Sequence, residues 1–335
     1  MTERKNSSTW RSALLRWGGS ALILGLLFFF LRQHLHELLP TIRRVPLPAW
    51  LLLLAGYMGA HLVGVSKWRL MVNLAGAELS WSLAARCYFA GMFGNVFLPS
   101  LVGGDVIRAG LGMSLGRSRA GVVLGSLLDR MLDMVSLALI AGAGALLLPK
   151  ALDERSRRVF WVVAACFALA AAGALLLARI VPLRRLKFRW RRKVARLRQA
   201  GRQLARRQRY VALAMGLSLT VQMTFITLMS RLSDLAALDV ALHLWLFAYP
   251  LAKLSAMLPV TQGGIGVREA ALAALLAPFG APPVRTVAVG LVWETIVITG
   301  GLLGGLLTVL FSRAARQPGA HLSARDEHAL PLRRP

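Results

Sequence analysis

The sequence predicts an all-α polytopic membrane protein made of two inverted-topology halves, each with about three spans and one re-entrant helical hairpin. Three observations carry this expectation. Apolar runs near the roughly 20 residues needed to cross a bilayer recur along the chain. A helix-breaking motif, LPSLVGGDVIR at 98–108, has a twin, LPVTQGGIGVR, at 258–268. Lys and Arg collect on alternate connections between the runs, as they do on the cytoplasmic side of membrane proteins. Of the 335 residues 56% are hydrophobic, and the formal net charge is +27. The basic residues lie between and after the apolar runs instead of forming a soluble basic face, so nucleic acid is not an expected partner.

The first half covers 1–148. Arg4, Lys5, Arg11 and Arg16 precede an apolar run in the manner of a signal peptide, but LRQHLHELLP follows with no small-residue cleavage site. The run at 13–31 is therefore expected to remain as a span, with His34 and His36 in the loop after it. Further apolar runs fall at 49–66, 82–98 and 121–148. A non-cytoplasmic loop, 149–157, leads to the second half, 158–312, with runs at 158–181, 210–230, 238–258 and 284–311. A polar tail, 313–335, closes the chain.

The third and seventh runs each end in Leu-Pro, a few residues of loop, Gly-Gly and a new short helix. Proline removes an amide and clashes with the preceding turn, and paired glycines free the backbone, so each segment should turn at Pro99 and Pro259. The hairpins are placed at about 82–116 and 238–277. The match continues as GSLLD (125–129) over GLVWE (290–294), a glycine followed four residues later by a carboxylate. Hairpins that leave on the side they came from give each half three crossings, which inverts one half relative to the other.

Charge places both termini inside. Lys67 and Arg69, then Arg108, Arg117 and Arg119, then 183–209 and the tail fall on the cytoplasmic side. The 183–209 connector has thirteen Lys or Arg and no acid. Its Leu186, Phe188, Trp190, Val194 and Leu197 suit a helix lying on anionic headgroups, although a connector that only fixes topology reads the same way. Arg43, Arg44 and a mixed loop from Lys150 to Arg158 lie opposite. Trp17, Trp50, Trp68, Trp81, Trp161 and Trp245 sit near span ends and read as interfacial anchors.

Charges inside apolar runs cost about 2.5–3.5 kcal/mol each at a helix centre, so they face the interior, usually paired. Asp105, Arg108, Asp129, Arg130, Asp133, Lys253, Arg268, Glu269 and Glu294 are such charges. A helix start offers free amides and partial positive charge, and a nearby guanidinium adds a donor fork suited to phosphate. Arg108 and Arg268 stand where two such starts, after Gly104 and Gly264, would face each other. The competing reading is structural: each arginine fastens its hairpin to Asp129 or Glu294, and Asp105 caps its helix. Cys87 and Cys166 read as core, as do His61 and His243, isolated in apolar surroundings. No metal or cofactor motif is present.

The stretches N-x-x-LPS-x-x-GGD-x-x-R (95–108), LDR (128–130) and LP-x-x-x-GGIGVRE (258–269) resemble the lysylphosphatidylglycerol synthase transmembrane region, also called flippase-like proteins, over about residues 10–312. The resemblance implies a bacterial inner-membrane protein that moves a lipid headgroup between leaflets. In aminoacyl-phosphatidylglycerol synthases this region is fused to a soluble domain. Here only a short tail follows Arg313, so an aminoacyl-transferase domain is not expected.

The expected substrate-binding set is Asn95, Ser100, Gly103, Gly104, Asp105 and Arg108 with Gly263, Gly264, Arg268 and Glu269. Asp129, Arg130 and Glu294 are expected to couple or gate. The expected partners are membrane lipids with anionic headgroups, phospholipid or polyprenyl-phosphate-linked. Two rival classes remain: a membrane-embedded transferase using Asp105 or Asp129 as base or metal ligand, and an accessory subunit that recruits a lipid-modifying enzyme through its basic connector.

Overall fold

The computed structural model describes residues 35–98, 103–148, 207–256 and 266–314. The runs at 13–31 and 158–181, the 149–157 segment, most of the basic connector, nearly all the tail and the turns expected at Pro99, Ser100, Pro259, Gly263 and Gly264 lie outside the described residues. What is described is helical, with no strand.

The helices are α1 (Leu35–Arg43), α2 (Leu47–Leu74), α3 (Trp81–Phe97), α4 (Gly103–Leu115), α5 (Arg119–Leu146), α6 (Gln208–Leu235), α7 (Leu242–Ser255), α8 (Val267–Leu276) and α9 (Pro283–Ala314). The order long, short, short, long in α2 to α5 returns in α6 to α9. Helices α2, α6 and α9 are long and apolar enough to cross a membrane, and only 22% to 33% of their most apolar windows is buried inside the protein. The rest of that apolar surface faces outward, which suits lipid and not water. Helix α5 is as long as α2 but carries Asp129, Arg130 and Asp133 at its middle.

Local chemistry sets the helix ends. Pro46 and Pro48 open α2, where a missing amide costs nothing. Ser80 caps α3 by accepting from the Leu83 amide, and Ser118 caps α5 by accepting from the Gly121 amide at 3.0 Å. The ends of α2 and α6 share one bonding pattern. The amides of Ala75, Gly76 and Ala77 donate to the carbonyls of Met71, Asn73 and Val72, and those of Ala236, Ala237 and Leu238 donate to Leu232, Asp234 and Ser233. Each pair of equivalents lies 161 residues apart, and the next helices, α3 and α7, begin with the same spacing.

Packing crosses between these two sets of helices. Helix α3 lies on α4 and on α9, while α7 lies on α8 and on α5; α2 and α6 pack together at the centre. Glycines bring the backbones close, as is usual between membrane helices. A Cβ on Gly301 would meet Val96 of α3 at 2.3 Å, and one on Gly144 would meet the backbone of Phe247 in α7 at 2.6 Å. The core holds Trp68, Trp245, Trp293 and Phe89, all fully buried.

Several expectations change here. Lys67 is not a loop charge: it lies in α2, 3% exposed, and leaves the cytoplasmic tally. Trp68 and Trp245 are core, not interfacial, because each sits on a helix face turned toward other helices. His36 belongs to α1, which runs through Pro40. His243 is exposed. The described start of α8 is Val267 and not the residue after Gly264, because Gly266 adopts φ +86°, a left-handed conformation that helix cannot run through.

Candidate functional site

A cavity of about 210 Å³ lies between α2, the two hairpins, α5, α6 and α9. Its wall includes Asn95, Gly104, Asp105, Arg108, Arg130, Arg268 and Glu294 from the expected set. Asp129 and Glu269 stand behind that wall, at 1% and 0% exposure. Gly103 begins α4 beneath Leu98.

The first hairpin closes by backbone contact. A Cβ on Gly104 would lie 2.1 Å from the Gly91 carbonyl oxygen, so only glycine lets α4 press this closely on α3. The Gly104 amide donates to Asn95 Oδ1 at 2.9 Å. That amide at the α4 start is therefore occupied by the chain's own side chain. The same holds at α8, where the Gly266 amide donates to Glu269 Oε2 at 2.7 Å. Gly290 of α9 leaves the space for Glu269, since a Cβ there would meet its Cγ at 2.7 Å.

Arg108 and Arg268 both face the cavity, and both are held by carboxylates. Arg108 Nη2 stands 3.1 Å from Asp129 and 3.1 Å from Asp105, with its guanidinium 5.2 Å from the ring centres of Trp68 and Tyr88. Arg130 grips Asp105 with two nitrogens. Lys67 pairs with Asp129 at 3.1 Å and with Asp133. Three cations and three carboxylates thus form one closed network in the first half. Asp133 also accepts from Ser218 of α6 at 2.6 Å.

The second half is arranged otherwise. Arg268 donates to Glu269 at 2.8 Å and to Glu294 at 2.5 Å, two carboxylates on one guanidinium. Lys253, from α7, has no carboxylate within 4.0 Å among the described residues. Its ammonium donates to Gln222 Oε1 at 2.8 Å and sits 4.6 Å from the Phe225 ring centre. Gln222 joins the two networks, because its Nε2 donates to Asp133 at 3.5 Å. His61, Tyr57, Phe225, Tyr249 and Trp293 supply an aromatic lining.

Sequence reasoning placed Lys67 in a loop, read His61 as a core histidine and passed over Gln222. Each sits on a long span outside the repeated motif. The available signal was a polar residue within an apolar helix, the same signal that singled out Asp129.

Residues 16–305 match the family described as the lysylphosphatidylglycerol synthase TM region. The chain belongs to this family. The match takes in both hairpins and every residue of the cavity wall. It makes the chain a membrane protein of a family tied to lipid modification or flipping. No curated protein matches the chain.

Proposed function

We propose that this member of the lysylphosphatidylglycerol synthase transmembrane-region family is a bacterial inner-membrane translocase that carries a phosphate-bearing lipid headgroup between leaflets. The observation that carries the reading is the cavity: a space whose largely apolar and aromatic wall is set with ion pairs, lying among helices whose outer surfaces are apolar. Its volume, about 210 Å³, suits a headgroup and is too small for a diacyl lipid, so the acyl chains would stay in the bilayer.

The halves, 1–148 and 158–312, act as an inverted pair in this reading, with both termini cytoplasmic and the hairpins re-entrant. The repeated order of helices, the shared turn after α2 and α6, and the exchange of packing between α3–α9 and α7–α5 support it. Asn95, Ser100, Gly103, Gly104, Asp105 and Arg108 would guide the headgroup on one side, and Gly263, Gly264, Arg268 and Glu269 on the other. Asp129, Arg130 and Glu294 would hold or release the arginines as it passes.

The test is leaflet exchange of labelled phospholipids in vesicles holding the purified protein. Exchange above protein-free vesicles, reduced in Glu294→Gln, is the expected result. No exchange with any phosphate-bearing lipid overturns the reading, and chemical conversion of the lipid, seen by mass spectrometry, points to a transferase instead.

A further inference from the structure

We infer that the cavity first binds its anion at Lys253 and His61, around the Phe225 ring, and not at Arg108 and Arg268, which meet it only once their carboxylates release them. The inference deepens the translocase reading and rests on the cavity being the place where a headgroup passes.

Charge pairing separates the cations of the wall. Arg108 and Arg268 each touch two carboxylates, Lys67 touches two, and Arg130 holds Asp105 with a double contact. An incoming phosphate must displace a carboxylate from any of these. Lys253 is different. An ammonium has three protons to donate, and the described residues accept one, through Gln222 Oε1. A half-buried cation without a counter-ion is costly, and an anionic ligand removes that cost.

A second side chain points to the same ligand. His61 Nε2 is buried with no hydrogen-bond partner, while Nδ1 lies 3.2 Å from the Tyr88 hydroxyl. When that hydroxyl donates to Nδ1, the neutral ring carries its proton on Nε2, a donor with nothing to receive it. His61 and Lys253 both line the cavity and both flank Phe225, the ring centres of His61 and Phe225 being 5.3 Å apart. Two donors left open beside one ring, in a space already supplied with paired acids, suit a phosphate oxyanion.

The groups facing this subsite from every packed helix fit the assignment. From α2 come His61 and the Lys67 that Asp133 neutralises; from α4, Arg108 with Asp105; from α6, Gln222; from α5, Arg130 and Asp133; from α8 and α9, Arg268 and Glu294, with Glu269 behind them. Of the five cations that line the cavity, Lys253 alone has no carboxylate within 4.0 Å among the described residues.

The experiment titrates purified full-length protein in detergent with dihexanoyl-phosphatidylglycerol and, separately, with inorganic phosphate, following binding by calorimetry. Lys253→Met should weaken phosphatidylglycerol binding by about ten- to a hundredfold, the loss of one charged hydrogen-bonding partner. Lys253→Arg should restore most of it. Gln222→Glu, nearly the same shape, hands Lys253 a carboxylate and should weaken binding as much, which keeps the test sound if Lys253→Met folds poorly.

Wild-type affinity in Lys253→Met and Gln222→Glu overturns the assignment, and so does a wild-type protein that binds neither probe. Equal binding of phosphate and phosphatidylglycerol supports an oxyanion site filled from water, and preference for phosphatidylglycerol supports a headgroup site. Binding by wild type and loss in both variants, with no leaflet exchange in vesicles, supports the subsite and overturns translocation.

Discussion

The two hairpins set an arginine at the same register and surround it differently. Arg108 sits in a network where Lys67, Arg108 and Arg130 balance Asp105, Asp129 and Asp133, and the ring faces of Trp68 and Tyr88 cover it. Arg268 has Glu269 and Glu294 to itself, while Lys253 stands apart with an amide for a partner. The first arrangement is closed, since losing any member strands another. The second has a surplus carboxylate at one point and a missing one at another. The contrast is one of charge balance: the ions around Arg108 match in number, and those around Arg268 and Lys253 are matched only across the gap between them.

The sharpest way to break the comparison is at Gly104. Gly104→Ala drives a methyl into the Gly91 carbonyl and should prevent closure of the first hairpin, leaving little monodisperse protein on fluorescence-detected size exclusion. Gly290→Ala in the second half meets only the Glu269 side chain and should give folded but less heat-stable protein.

Next in size are the acids. Asp129→Asn weakens the hold on both Lys67 and Arg108 and should cost about 3–5 kcal/mol, the usual result of breaking a buried pair. Glu294→Gln leaves Arg268 with Glu269 and should cost only about 1–3 kcal/mol. Thermal unfolding in detergent compares the two, and equal losses would erase the distinction between a closed and an open half.

The smallest effects are at the caps. Asn95→Ala removes the acceptor of the Gly104 amide and should cost about 0.5–2 kcal/mol. Asn73 brackets Leu79 with two hydrogen bonds where Ser233 makes one to Leu238, so Asn73→Ala should lower the unfolding temperature more than Ser233→Ala.

The repeated motif made much of this legible. Leu-Pro, Gly-Gly and Arg at matching positions marked where α3 gives way to α4 and α7 to α8, and glycine followed by a carboxylate located one partner of each arginine. Those features are local and leave a mark in a short window of sequence. Lys67 and Trp68 were misplaced for the opposite reason. A lysine and a tryptophan near the end of an apolar run look like an interface, and only the continuation of α2 to Leu74 with Asp129 and Arg108 packed beside it carries them inside. Gln222 and Lys253 meet through the packing of α6 on α7, which no spacing within either helix encodes. The surplus at Glu269 was hidden because its capping role depends on the left-handed Gly266.

Gln222 has a consequence of its own. Its amide gives N–H to Asp133 and receives N–H from Lys253, so the two ends of the group are not interchangeable. Turned over, it would set oxygen against a carboxylate and N–H against an ammonium. The side chain is therefore a compass needle between the halves, held by a negative pole on one side and a positive pole on the other. Masking either pole weakens its alignment, which makes the side-chain amide resonance of Gln222 a direct reading of what the cavity holds.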